Sequence, residues 1–350
     1  MSEKQYNAIL SIVCGMLLFF CFLAFMGKKS LSGETIDTAL SNSKYFSNLA
    51  HVEISHNGKS IFLQRNETGS LWLGSEGLTQ SLDGQGGSQS LVFPVDSTTI
   101  REFIFAMEQV RPLSLISQKQ DKDTLASFGL DGESGYTVSL SLNDGSTVSQ
   151  VTFGDKNYSG HRVYLKTPDS PIYQTQDQFY PWLSTSGKSW ADMSLVSLPL
   201  LGIASENQVQ GLTMKFFDES EPEKKIFSPA EEDFSFKTSR LLGLRGGSLI
   251  LPSRSEGQPL VGEITVDTGF GSRCILRIYQ GAYSQADQGV SSYYLIPEYK
   301  TSALNYGFEI SGLNYGFEIN RLNYGFEISR LNYGFEISPW TWNNLRELAR

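Results

Sequence analysis

The side chains with the most obvious reactive potential in this chain are three histidines, His51, His56 and His161, and one cysteine outside the apolar N-terminus, Cys274. Their spacing does not build a metal or redox site. No H-E-x-x-H or C-x-x-C run occurs, and the histidines have no cysteine near them in sequence. His51 and His56 could approach each other across a first hairpin, but two imidazoles without a third ligand read as surface residues. Gly58-Lys59-Ser60 and Gly187-Lys188-Ser189 resemble the end of a phosphate-binding loop. The glycine required five positions earlier is Glu53 in one case and Trp182 in the other, so the backbone cradle for a phosphate is missing from both. The glycines of Asp83 to Ser90 (DGQGGSQS) lack the G-x-G-x-x-G order and read as a loop. There is no G-x-S-x-G turn to present a nucleophilic serine. Glu231, Glu232 and Asp233 cluster negative charge without spaced partners and read as a solvated turn. No catalytic, cofactor-binding or metal-binding residue is assigned, no cofactor is expected, and the expected role is not enzymatic.

Composition narrows the partners. Lys and Arg total 28 against 37 Asp and Glu, a formal charge of -9, so the basic surface that neutralises phosphates is absent and no nucleic acid is expected. With 40% hydrophobic and 19% charged residues, 350 residues can bury ordinary cores, in two domains. Cys14 and Cys21 lie in the apolar N-terminus, which leaves Cys274 without an internal disulfide partner in the rest of the chain.

Ala8 to Met26 (AILSIVCGMLLFFCFLAFM) carries no charge over nearly the length that crosses a hydrocarbon core. Its eleven Leu, Ile, Val and Phe residues contribute roughly -3 to -7 kcal/mol to insertion. A cleaved signal peptide is the competing reading, but the run exceeds the usual length and no small-residue cleavage site precedes Gly27. The expectation is an uncleaved anchor at residues 1–29 that contacts the lipid bilayer through residues 8–26. Lys4 precedes the span while Lys28 and Lys29 follow it, a count that opposes export. A long following domain translocates largely regardless of such charges, so the body is expected outside the cytoplasm.

Past a polar tether at residues 30–48, period-two alternation begins. His51 to Gly77 alternates apolar and polar residues around His56-Asn57-Gly58-Lys59, whose Asn-Gly predicts a tight hairpin. Asp96 to Val110 places an acidic cap before Ile100, Phe103, Ile104, Met107 and Val110 at helical spacing and stops before Pro112, predicting an amphipathic helix packed on a sheet. Trp72, Trp182, Trp190, Trp340 and Trp342 sit beside element ends, where they read as core plugs. The alternative is a set of exposed stacking platforms for envelope glycans or peptides.

From Thr124 to Trp190 the chain resembles the membrane-associated family known as domain of unknown function 4340, and the hairpin and helix before this segment fit the same family. The resemblance rests on a helix leading into Phe128-Gly129-Leu130-Asp131, a strand pair across Asn143-Asp144-Gly145, the Phe153-Gly154-Asp155 step, strands at Arg162 to Lys166 and at Ile172-Tyr173, and a closing stretch from Lys188 to Asp192. It covers about half the chain well. Many members have a proline soon after the Gly-Leu-Asp step, where this chain has Gly132-Glu133-Ser134, so a different turn is expected. The resemblance implies an extracytoplasmic accessory protein of ABC-type transport systems of the kind linked to gliding, anchored by one span, and it implies no reaction.

The C-terminal third repeats this plan. The segments from Gly135 and from Gly262 both read strand, turn, strand, Gly-bearing loop, Tyr-containing strand and short strand, and then reach Pro181-Trp182 or Pro339-Trp340. These prolines are expected at the start of a closing helix. LTMKFF near Val209 matches the opening strand near Ala50, and EEDFSFKTSRLLGL occupies the helix-bearing middle. The expected fold is α+β: a transmembrane helix, then two related modules of antiparallel sheet with packed helices, at 49–198 and 199–350. The second module contains a nine-residue tandem unit at 304–338, LNYGFEIS and its near copies. In that unit Leu304, Tyr306, Phe308 and Ile310 share one face of a strand. Turns at Ser311-Gly312, Asn320-Arg321 and Ser329-Arg330 would stack the copies as a meander. Unpaired copies that loop out are the alternative. The extra units read as an expansion of one strand. The functional expectation is an accessory or interaction subunit whose partners are membrane proteins, an ABC permease and ATPase among them. The alternative is an envelope glycan- or peptide-binding module.

Overall fold

A computed structural model describes residues 48–66, 71–78, 89–217, 223–269, 271–281, 283–284, 289–290, 292–300 and 331–350. The expected span, nearly all of the tether, most of the glycine-bearing loop and the first three tandem units lie outside these residues. Among the described residues no helix is long and apolar enough to cross a membrane.

The first sheet is entered by β1 (Leu49–His56) and β2 (Lys59–Arg65). Asn57 and Gly58 both take positive φ between them, 49° and 71°, which matches the twist of the strands on either side. The chain continues through β3 (Trp72–Leu78), β4 (Gln89–Pro94), α1 (Ser97–Glu108), β5 (Ser114–Ser117) and α2 (Lys122–Ser127). It then makes a meander of β6 (Tyr136–Leu142), β7 (Thr147–Lys156), β8 (Arg162–Lys166) and β9 (Ile172–Gln176). The nine strands lie in the order β4-β3-β2-β1-β6-β7-β8-β9-β5. Asp96 caps α1, accepting from the amide and hydroxyl of Thr99, both at 2.7 Å. Ile100, Phe103 and Met107 are buried at helical spacing, as the sequence predicts.

The second sheet follows from β10 (Val209–Phe216), β11 (Glu223–Phe227), α3 (Phe234–Leu242) and β12 (Ser248–Ile250). The strands β13 (Leu260–Thr268) and β14 (Arg273–Gln280) come next, then a short ribbon of β15 (Tyr283–Ser284) with β16 (Gly289–Val290). The chain closes with β17 (Tyr293–Lys300), β18 (Gly334–Ile337) and α4 (Pro339–Leu348). The order is β11-β10-β13-β14-β17-β18-β12, with every pair antiparallel. This is the order β2-β1-β6-β7-β8-β9-β5 of the first sheet, strand for strand, with β3 and β4 added at the first sheet's edge.

The correspondence extends to register. The opening strand is shifted against its meander partner at the same place in both sheets, between Leu49 and His51 and between Val209 and Gly211. Buried Val52 pairs with Leu140 and Ile54 with Val138 in one sheet; Leu212 pairs with Val266 and Met214 with Ile264 in the other. Following the pairings across the strands gives two matching rows, Tyr136-Phe153-Leu165-Tyr173-Leu115 and Gly262-Ile278-Leu295-Phe335-Leu249. Gly262 therefore corresponds to Tyr136. The sequence comparison that sets Gly262 on Gly135 is one residue out, and in a strand one residue exchanges the faces.

The closing prolines correspond in place but not in form. Pro339 opens the ten-residue α4, capped by Ser338, whereas Pro181 sits in a single 3-10 turn at Tyr180–Trp182. Apolar residues of both sheets join one contiguous core. The last tandem unit supplies β18, and Tyr333, Phe335 and Ile337 are buried on one face, the alternation expected of the unit. It takes the position in the second sheet that single-copy β9 takes in the first. Removing residues 313–330, two whole units, is expected to leave the thermal unfolding transition cooperative and its midpoint unchanged; loss of the transition would make the removed copies integral to the core.

Candidate functional site

The residues that carry the family resemblance come together on the first sheet. The turn after α2 brings Phe128-Gly129 onto β7, where the amide of Asp155 donates to the carbonyl of Phe128 at 2.9 Å. The approach is so close that a Cβ on Gly154 would lie 2.2 Å from that carbonyl oxygen. Gly129 takes φ of 64°, and a Cβ there would strike the Asp155 carboxylate. Opposite, β7 shifts register against β8 between Phe153 and Lys156, which makes room for the contact. Asp131 closes the next turn by accepting from the amide of Ser134 at 2.7 Å, and that hydrogen bond keeps its carboxyl below the usual range. In this chain an aspartate-capped turn stands where relatives are expected to have proline. These motif residues hold loop to strand.

Beside them a row of aromatic and charged groups forms that the sequence does not announce. His56 stacks on Tyr136, with ring centroids 4.1 Å apart and planes within 12°, and its Nδ1 lies 3.2 Å from the carbonyl of Gly135. Tyr136 meets Tyr180 edge to face at 6.1 Å, and the Lys156 ammonium sits 4.7 Å above the Tyr180 ring while pairing with Asp177 at 2.7 Å. Burial, then Tyr136 and Asp155, push the Tyr180 phenol above its ordinary value. The row binds the closing turn to the strands and keeps Tyr180 neutral; it offers no nucleophile beside a base. In the second sheet the matching place is apolar. Phe216 stands for His56, Gly262 for Tyr136, and Trp342 from α4 fills the space, 5.4 Å from Phe216 and 5.0 Å from Tyr293.

A cleft of about 250 Å³ lies where the two sheets are joined, lined by Trp72, Asp96, Asp192, Ser194 and Arg245 among others. It falls below the usual size of a small-molecule site. Its carboxylates also serve the chain, Asp96 as the α1 cap and Asp192 as acceptor from the Ser194 amide at 3.0 Å. Beneath it the Ser197 amide donates to the hydroxyl of buried Tyr299 at 2.8 Å. Ser197 Oγ is buried there without a hydrogen bond, and the buried Tyr333 hydroxyl lies beside that of Tyr299.

The other sequence candidates are scattered. His51 and His56 do not approach each other: they lie on one strand, paired in the first hairpin with Gln64 and Lys59 respectively. His161 is exposed at the entry to β8. Gly58 completes the first hairpin turn and Lys59-Ser60 begin β2, while Gly187 packs against Phe93 with its amide donating to Glu76 at 2.7 Å. Glu231, Glu232 and Asp233 are exposed before α3, where Asp233 pairs with Lys237 at 3.1 Å. Among the described residues no three His, Cys, Asp or Glu gather as a metal site. Trp190 and Trp342 are buried plugs, Trp72 and Trp182 pack against the core, and Trp340 is 68% exposed.

Two antiparallel sheets of shared strand order with a few packed helices define a β-rich α+β protein. The stretch of residues 89–241 matches the family described as Domain of unknown function (DUF4340). It runs from β4 to α3 and contains every motif of the resemblance. Comparison with curated proteins finds no match.

Two outcomes are expected. Gly154→Ala should cost about 1–3 kcal/mol in urea unfolding, because backbone rather than a movable side chain stands in the way. Burial holds the hydroxyls of Tyr299 and Tyr333 and the Cys274 thiol protonated above their ordinary values of 10.0 and 9.0. Acids whose pKa is raised by folding contribute fully below those values and lose their contribution as pH climbs past them. The urea midpoint is therefore expected to hold at neutral pH and fall above about pH 9. Tyr333→Phe should flatten that alkaline fall, because it removes one of the buried hydroxyls that folding holds protonated.

Proposed function

We propose that this protein is a non-enzymatic interaction subunit of a membrane assembly, anchored by residues 8–26 with the body after Lys29 outside the cytoplasm. The observation that carries this reading is the use to which the motif residues are put. Phe128, Gly129, Asp131, Gly154 and Asp155 form turns and close backbone contacts that fix loop to sheet. A family marked by such residues is marked by its shape, and a fixed shape serves recognition. The two sheets of matching order and register support an origin as two related modules, which doubles the surface available to partners. The apolar length of residues 8–26 supports the anchor, and the family resemblance supports an ABC-type permease and its ATPase as partners. The envelope-polymer reading receives less support, because Trp190 and Trp342 are consumed by the core.

Alkaline phosphatase fused after Arg350 is expected to be active. An inactive fusion at normal expression, with a cytoplasmic reporter bright at the same junction, would overturn the orientation. Affinity purification of the full chain from detergent-solubilised membranes is expected to recover a permease and an ATPase. Retention on envelope polymer without protein partners would favour the second reading instead.

A further inference from the structure

The position of β18 in the second sheet is defined by what it demands of its occupant, and the chain offers that occupant four times. The demands are specific. Phe335 is fully buried, and Tyr333 and Ile337 nearly so. Gly334 is required because a Cβ there would lie 2.4 Å from Ile296 and 2.9 Å from the carbonyl oxygen of Leu295. Asn332 exchanges backbone hydrogen bonds with Val92 at the edge of the first sheet, and its side-chain amide donates to the carbonyl of Ser90 at 3.1 Å. The Glu336 carbonyl accepts from the Gly247 amide at 2.9 Å. Each residue type recurs at the same spacing in 304–310, 313–319 and 322–328, which all read LNYGFEI. The position therefore has no side-chain means of telling the last copy from the other three.

We infer that the place between β17 and β12 is a receptor for the LNYGFEI unit, and that an earlier copy from the same chain can fill it when the last copy is lost, in register steps of nine residues. The connections permit this. With 331–337 in place, residues 301–330 link β17 to the strand and α4 follows directly. With 322–328 in place, 301–321 would make the link and 329–337 would loop out before the Ser338 cap. With 304–310 in place, residues 301–303 alone would connect the two strands, a hairpin comparable to the short link between β8 and β9. α4 keeps its own hold on the core through Trp342, Leu345 and Leu348 in every case. Each earlier copy closes a second loop, so the last copy is the favoured occupant. Loop-closure entropy grows slowly with length, whereas a lost aromatic leaves a cavity, so damage to the last copy makes exchange favourable. The inference is independent of any membrane partner.

The test compares Phe335→Ala in the full chain and in a chain lacking residues 304–330. The fall in melting temperature is expected to be about twofold or more larger in the shortened chain, where no other phenylalanine can enter. A shortened variant that fails to fold beside a folded full-length variant is the same result in stronger form; equal falls, or loss of folding in both, would overturn the inference. A trapping experiment reads the register directly. Tyr294 faces Glu336 across β17 and β18. In full-length Phe335→Ala, Tyr294→Cys combined with Glu327→Cys is expected to form an intramolecular disulfide on oxidation, identified by peptide mass. Failure to crosslink, while Tyr294→Cys with Glu336→Cys crosslinks in the otherwise unaltered chain, would show that the position holds the last copy alone. A disulfide found only in dimers would overturn exchange within one chain and place the copies in a neighbouring molecule.

Discussion

The fold depends on the opening strand of each sheet pairing on both edges, with the strand that follows it and with the first strand of a distant meander. Once β1 lies between β2 and β6, everything from β3 to α2 must depart and return without crossing the sheet, which places α1 over one face and delivers β5 to the far edge beside β9. The second sheet meets the same constraint with β10 between β11 and β13, and it sends α3 and β12 along the same route. The shift at Ala50 and at Gln210 starts the pairing alike in both, so the buried residues that follow fall into matching cross-strand pairs. Such pairings join residues far apart in sequence, and long-range contacts of this kind make folding slow relative to local hairpins.

Where local chemistry decides an element, the sequence is readable. Asn57-Gly58 demands a turn with positive φ, Asp96 offers a cap to Thr99, and period-two burial in the last tandem unit follows from Tyr333, Phe335 and Ile337 alone. Where a distant partner decides it, the sequence is mute. β5 and β12 are short and are placed only by β9 and β18. Nothing near His56 points to Tyr136, eighty residues on, or from Tyr136 to Tyr180. The one-residue error between Gly135 and Gly262 has a physical source. A shared glycine is a tempting anchor for comparison, but Gly262 is small because Trp342 packs over it, a reason absent at Gly135, where Gly129 and Thr152 crowd the space.

The two sheets differ most where their closing segments return. In the second, α4 has room for three helical turns because Gly262 lets Trp342 reach the strands, and the position is sealed by aromatic packing with Phe216 and Tyr293. In the first, Tyr136 fills that space from the strand itself, the closing segment contracts to one turn, and the junction is finished by Tyr180, Lys156 and Asp177 at the surface. The outer faces diverge in the same way. Lys215, Glu263, Arg277, Glu298 and Lys300 form a chain of ion pairs across four strands of the second sheet, while Ser55, Thr137 and Thr152 stand at the places of Lys215, Glu263 and Arg277 in the first.

Exposed ion pairs contribute little to stability one by one, so the charged row is better understood by what it excludes. Opposite charges at fixed spacing reject a mismatched neighbour and orient a complementary one, whereas in the first sheet the hydroxyls of Thr137 and Thr152 lead on to the single charge of Lys166. A shared backbone plan thus presents two unlike faces without two folds. The joint between the sheets, where the Ser197 amide reaches Tyr299 and Asn332 reaches Val92, holds those faces in fixed relation. Tyr299 belongs to β17 and Asn332 leads into β18, so these two strands of the second sheet also set how that sheet meets the first.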